Sequence, residues 1–173
     1  MEFSIAKSLE ILAHTPAVLQ TMLQPLSMEW TGVNEGPDTW TVYDVIGHLI
    51  HGEKTDWMPR AMIILSDNPD KNFSPFDRFA QMQQDKTVPL PQLLQEFSTL
   101  RKMNIEKLTA QNITPARLEA KGVHPAFAAV TLSQLLATWT VHDLNHIAQI
   151  SRIMAKQYKE AVGPWTAYLK ILQ

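Results

Sequence analysis

Apolar residues recur at helical spacing over four stretches of the chain, separated by polar stretches rich in proline and glycine. The first stretch runs from Ser4 to Leu26, with Ile5, Leu9, Leu12, Val18, Leu19, Met22 and Leu23 as its repeat. Thr15-Pro16 interrupts it. Threonine caps helices and proline suits a first helical turn, so a kink or two helices are expected there. The second opens at Thr41-Val42-Tyr43-Asp44, a capping-box pattern, and carries Val42, Val45, Ile46, Leu49 and Ile50 on towards Leu65. Pro59 should kink this helix, because proline removes a backbone donor and crowds the preceding turn. The third covers Leu90 to Gln111, with Leu93, Leu94, Phe97, Leu100 and Leu108 inward. The fourth opens at Thr131-Leu132-Ser133-Gln134, a second capping-box pattern, and reaches about Tyr158 before Gly163-Pro164 stops it. Trp165 to Leu172 is a short tail able to cap one end of a bundle.

Three connections join these helices. Trp30 to Trp40 and Asn112 to Val130 read as loops, and no segment reads as a convincing strand. Asp67 to Pro91 is long and polar, yet it contains Phe73, Phe76 and Phe79, so part of it should pack on the helices. Four amphipathic helices predict an all-α four-helix bundle, with the long connection between helices 2 and 3 as a crossover. A length of 173 residues fits one domain spanning 1–173.

Composition narrows the function classes. A net charge of −2 with scattered basic residues argues against a nucleic-acid or membrane-surface partner. No apolar run approaches the roughly 20 residues of a membrane span, and the N-terminus lacks a signal-peptide pattern. A cytoplasmic protein is expected. With no cysteine, disulfides and thiolate metal ligands are excluded.

The chemistry concentrates in Thr140-Val141-His142-Asp143-Leu144-Asn145-His146-Ile147. His142 and His146 stand four apart, so on a helix they share one face and can ligate one metal ion. Their helix has Leu132, Leu135, Leu136, Trp139, Ile147, Ile150, Ile153 and Met154 as its apolar stripe, and both histidines fall within that arc. Asp143 falls near its centre. Buried polar groups without partners cost roughly 1–3 kcal/mol each. A metal with its supporting hydrogen bonds meets that need, and so would hydrogen bonds from packed core histidines to side chains of neighbouring helices. The second helix offers His48 and His51 as a third ligand, and periodicity does not choose between them. Glu53, on the stripe of the same helix, could be a fourth ligand, a general base, or the ion-pair partner of a residue such as Arg60. His142-Asp143-x-x-His146 is also a distant version of the zincin HExxH, but Asp reaches less far than Glu towards a metal-held water.

Thr39-Trp40-Thr41-Val42-Tyr43-Asp44-Val45-Ile46-Gly47-His48-Leu49, followed by Glu53, resembles the second-helix signature of the DinB-like superfamily. Thr131 to Ala137, leading into His142-Asp143-Leu144-Asn145-His146-Ile147-Ala148-Gln149-Ile150, resembles its fourth-helix signature, and Gly163-Pro164-Trp165 resembles its tail. The resemblance implies a four-helix bundle with a crossover and a metal triad of His48, His142 and His146. It therefore selects His48 over His51, which stays a site-lining candidate. It also implies one divalent ion, nickel or zinc foremost, and relatives that include bacillithiol S-transferases and a mycothiol-dependent maleylpyruvate isomerase.

Three histidine ligands leave coordination positions open, as catalytic sites do. Such a centre acidifies a bound water for hydrolysis, or a bound thiol for transfer to an electrophile. The expected function is therefore a metal-dependent enzyme on a small molecule, S-transferase-like or hydrolase-like, with the resemblance to thiol transferases slightly favouring the former. Any thiol must come from a low-molecular-weight cosubstrate. Asp143, Asn145 and Gln149 are candidates for orienting the imidazoles, Asp143 first, and His124 could reach the open end. The rival expectation is a non-catalytic metal-binding or stress-response bundle acting through a homodimer interface.

Overall fold

In the computed structural model, residues 2–83 and 85–173 are described. Four long helical segments carry the bundle: α1 (Ile5–Leu23), α3 (Val42–Thr55) continued by α4 (Trp57–Leu65), α5 (Leu90–Ala110) and α7 (Leu132–Lys156). Short helices α2 (Met28–Thr31) and α6 (Pro115–Leu118) punctuate two of the connections. The segment α1 packs mainly against α5 and α7, and α3 and α4 lie against the same two helices, so α1 sits diagonally across the bundle from α3. The 66–89 connection is the long crossover. No helix among the described residues is long and apolar enough to cross a membrane.

Both capping boxes form. Asp44 N–H donates to Thr41 Oγ1 at 3.1 Å and Thr41 N–H donates to Asp44 Oδ2 at 3.0 Å. Thr131 and Gln134 make the same reciprocal pair at 3.1 and 2.9 Å. Each pair satisfies two backbone donors that a helix start leaves free. Thr41→Ala should therefore lower stability by about 1 kcal/mol, measured by urea unfolding, whereas a change below a few tenths would mean that this cap is replaced by water.

The two internal prolines behave differently from the expected kinks. Pro16 neither kinks nor divides α1, which runs through it unbroken. Proline at 16 leaves the Leu12 carbonyl without its helical donor, and Arg101 Nη1 donates to that oxygen at 2.9 Å. Pro59 lies inside the first turn of α4, where a missing N–H costs nothing. The break instead falls three residues earlier, at Asp56 (φ −113°, ψ −74°), just after Thr55, whose carbonyl is the one that Pro59 cannot bond.

No strand was expected from the pattern, yet Lys121–His124 (β1) and Ala128–Thr131 (β2) form an antiparallel hairpin, with Gly122 opposite Val130. The crossover docks on it: Val123 N–H donates to Lys71 O and Phe73 N–H donates to Val123 O, both at 2.9 Å. Gly122 permits this approach, since a Cβ there would lie 2.3 Å from the Phe73 ring. The tail after α7 forms short 3-10 turns and buries Leu172 against the bundle, while Trp165 and Tyr168 stay exposed.

The core is divided. One apolar cluster gathers Leu19, Leu23, Val45, Ile46, Leu93, Phe97, Ile150 and Ile153, and the other gathers Leu12, Trp57, Ile64, Leu108, Leu132, Leu136 and Trp139. On every helix the change of cluster falls at the level of a buried polar layer: Thr15, Glu53, Arg101 with Asn104, and Asp143 with His146.

Candidate metal centre

Arg101 organises the polar layer. It is 1% exposed, and its Nε, Nη1 and Nη2 make five hydrogen bonds: two to Glu53 Oε1 (3.1 and 2.8 Å), two to Asp143 (2.5 and 2.9 Å) and one to Leu12 O. Those five bonds match the five donors of a guanidinium. Glu53 also accepts from Trp139 Nε1 at 3.0 Å and from Asn104 Nδ2 at 2.9 Å. Glu53 is thus consumed by Arg101, not by Arg60, which pairs with Asp56. Both Asp143 oxygens face Arg101, so its hydrogen bonds hold the guanidinium and not an imidazole. One guanidinium against two carboxylates leaves a formal excess of one negative charge buried beside the histidines.

His48, from α3, meets His142 and His146, from α7, immediately above this layer. His142 Nε2 lies 3.1 Å from His48 Nε2 and 3.0 Å from His146 Nε2. The ligand atoms of the three all lie within 4.8 Å of one another. His146 Nδ1 is 2.7 Å from Gln149 Oε1, which requires that nitrogen to be the donor and leaves the Nε2 lone pair facing the cluster. Burial above all drives the pKa of His48 down to about 3 and that of His142 to about 2, and neighbouring positive charge adds to both. Burial likewise lowers His146, against the Gln149 bond and Asp143. All three are therefore neutral at pH 7, the state in which imidazole binds metal. A neutral imidazole has one N–H, so hydrogen bonds among the rings cannot satisfy three converging Nε2 atoms. One divalent ion can, and the buried negative charge behind them favours it. The residues fit a metal ion on both counts. The Nδ1 atoms of His48 and His142 lack regular hydrogen bonds; the Arg78 backbone is the neighbour of the former.

The cluster opens into a cavity of about 690 Å³. Trp40 stacks parallel to His146 at 6.3 Å and tilts over His48 at 4.9 Å, and Trp57 meets His142 edge-on at 5.0 Å. Phe76 packs edge-on to His48 at 5.6 Å. The loop carrying Trp40 is held to α7 by Arg152, which donates to both oxygens of Glu35 at 2.8–3.1 Å, with Lys156 at 2.9 Å. Those bonds, Arg152 first, keep the Glu35 carboxyl below its usual range. Asn145, Gln149 and His124 line the cavity, with His124 stacked on Phe127 at 4.6 Å. His51 does not line it: its ring packs on Phe76, and its Nε2 meets Thr55 Oγ1 at 3.3 Å.

Arg101, Asn104 and the two tryptophans escaped the sequence reading. Arg101 and Asn104 did leave a signal, because Phe97, Arg101, Asn104 and Leu108 follow helical spacing through the inward stripe.

Comparison with known proteins places this arrangement. No curated protein matches the chain in sequence. YfiT from Bacillus subtilis, described as a probable metal-dependent hydrolase with an unusual four-helix bundle topology, matches in structure with a TM-score of 0.76 over 90% of each chain, at 19% sequence identity. The two share the four-helix bundle fold. The model of the DinB superfamily matches residues 11–150, a span that includes all three histidines and the whole polar layer. The chain belongs to the DinB superfamily.

Proposed function

We propose that the protein is a metal-dependent enzyme acting on a small molecule, with His48, His142 and His146 as the ligands of one divalent ion. The observation that carries this reading is the convergence of three neutral Nε2 atoms at the wall of a cavity sized for a small molecule. A closed structural site would have a fourth protein ligand and no cavity. When bound, the ion supplies Lewis acidity, which polarises a carbonyl or acidifies a water or thiol in its open positions. Gln149 holds the His146 ring in the tautomer that offers Nε2. Trp40, Trp57 and Phe76 shield the histidines, and Thr138, Gln134 and Asn145 offer hydrogen bonds along the cavity. Glu53 and Asp143 are committed to Arg101 and cannot serve as general base.

Hydrolysis is the first reading, supported by fold likeness to a protein described as a probable hydrolase. Thiol transfer is the second. The chain has no cysteine, so it would need a thiol cosubstrate. Untagged protein loaded with zinc or nickel should turn over either a p-nitrophenyl ester or a thiol with 1-chloro-2,4-dinitrobenzene. EDTA should abolish the rate, and returned metal should restore it. A rate indifferent to EDTA would remove the metal from the chemistry.

A further inference from the structure

The polar layer consumes Glu53 and Asp143, but a second buried ion pair is not consumed. Asp56 is 6% exposed and Arg60 8%, and both line the cavity that holds the histidines. Arg60 Nε lies 2.6 Å from Asp56 Oδ1, which is sealed from solvent and accepts no regular hydrogen bond, so Oδ2 is the oxygen of Asp56 left to face the cavity. Burial raises the Asp56 pKa in spite of Arg60, the mark of a carboxylate short of hydrogen bonds. Arg60 Nη2 donates to Ser74 O at 3.2 Å, and the guanidinium rests over the Phe73 ring at 5.2 Å. A guanidinium has five donors, so Arg60 retains N–H groups beyond these contacts.

The pair is neutral as a whole and presents an acceptor beside a donor. A ligand ammonium would gain from Asp56 and be repelled by Arg60, and a ligand carboxylate would meet the reverse. A neutral group with an N–H next to a C=O suffers neither repulsion. Trp57, Phe73, Phe76 and Leu135 line the same cavity and supply apolar wall. Asp56 lies eight residues beyond His48, about 12 Å along the helix at 1.5 Å per residue, so one extended small molecule can span both.

We propose that the Asp56–Arg60 pair anchors a neutral amide-type group, such as an amide, carbamate or urea, of an aromatic small molecule whose other end reaches the three histidines. This rests on the cavity being the substrate site, as proposed above, and not on the ion.

Three probes of matched shape test it by calorimetric titration: 4-phenylbutanamide, 5-phenylpentan-2-one, which lacks the N–H, and 4-phenylbutylamine, which carries a full charge. The native protein should bind the amide about tenfold or more tightly than either of the others, since a site built to bond an N–H discriminates against an analogue without it. Asp56→Asn, nearly isosteric, should bring the amide-to-ketone ratio to within threefold. A native ratio within threefold, preference for the amine, no binding of the amide, or a ratio unchanged in a folded Asp56→Asn protein would each overturn the proposal. The native ratio decides even if the variant fails to fold. Repeating the titrations after EDTA separates the two readings: an amide preference that persists upholds the anchor whatever the metal content proves to be.

Discussion

Replacing Arg101 with alanine is expected to destabilise the protein by about 3–5 kcal/mol, the penalty for leaving buried charge without its partner. That is a large share of the roughly 5–15 kcal/mol that holds an ordinary domain folded. The change strips Glu53 and Asp143 of their counter-ion and leaves the Leu12 carbonyl, already deprived of a helical donor by Pro16, with nothing to accept. All four long helical segments feel the loss, because the five bonds reach α1, α3 and α7 from α5. Arg101→Lys should lie between the two proteins: it keeps the charge but cannot fork to two carboxylates and a carbonyl at once. Urea or thermal unfolding reads the effect, and an alanine variant within 1 kcal/mol of the native protein would mean that the layer is paired in some other way.

The second large effect concerns His142. Its Nε2 lies within about 3 Å of those of both other histidines, so it is the ring through which the cluster is joined. Protein purified without an affinity tag should carry about one equivalent of divalent metal, and His142→Ala less than about a tenth, because two neutral imidazoles make a weak open site. Gln149→Ala gives a graded comparison. It keeps all three rings and removes only the hydrogen bond that fixes one of them, so affinity should fall about 10–100-fold. His142 is only partly buried and packs edge-on to Trp57, so the alanine protein should keep its helix content by circular dichroism. Equal metal in the native and alanine proteins would remove His48, His142 and His146 as a site and leave them as packed core residues.

What the sequence discloses follows the range of the interaction. The four helices and both capping boxes are local matters of spacing and of residues three apart, and they are plain in the chain. The inward placement of Asp143 and Glu53 is equally local, but the identity of their partner is not. Arg101 lies 42 and 48 positions away, on a helix whose own stripe it shares with Phe97 and Leu108. Periodicity could not choose the ligand, since His48 lies on the flank of the apolar stripe and His51 nearly opposite it, neither at its centre; a matched family signature selected His48. The hairpin was missed because each strand has four residues and depends on Lys71 and Phe73, some 50 positions earlier, for its outer hydrogen bonds. Pro59 signalled a break correctly but not where, because proline acts on the carbonyl four residues before it.

The cavity draws on two kinds of backbone. The three histidines stand on helices that are fixed in place by a shared buried layer, whereas Phe73, Phe76, His124 and Phe127 come from the crossover and the hairpin, which are stitched to each other by two backbone bonds. Insertions and substitutions in such connections are borne more easily than in packed helices. The fold thereby separates two parts that can change at different speeds: a floor of histidines that resists alteration, and a roof that can be exchanged as a unit to reshape the cavity without disturbing the rings beneath it.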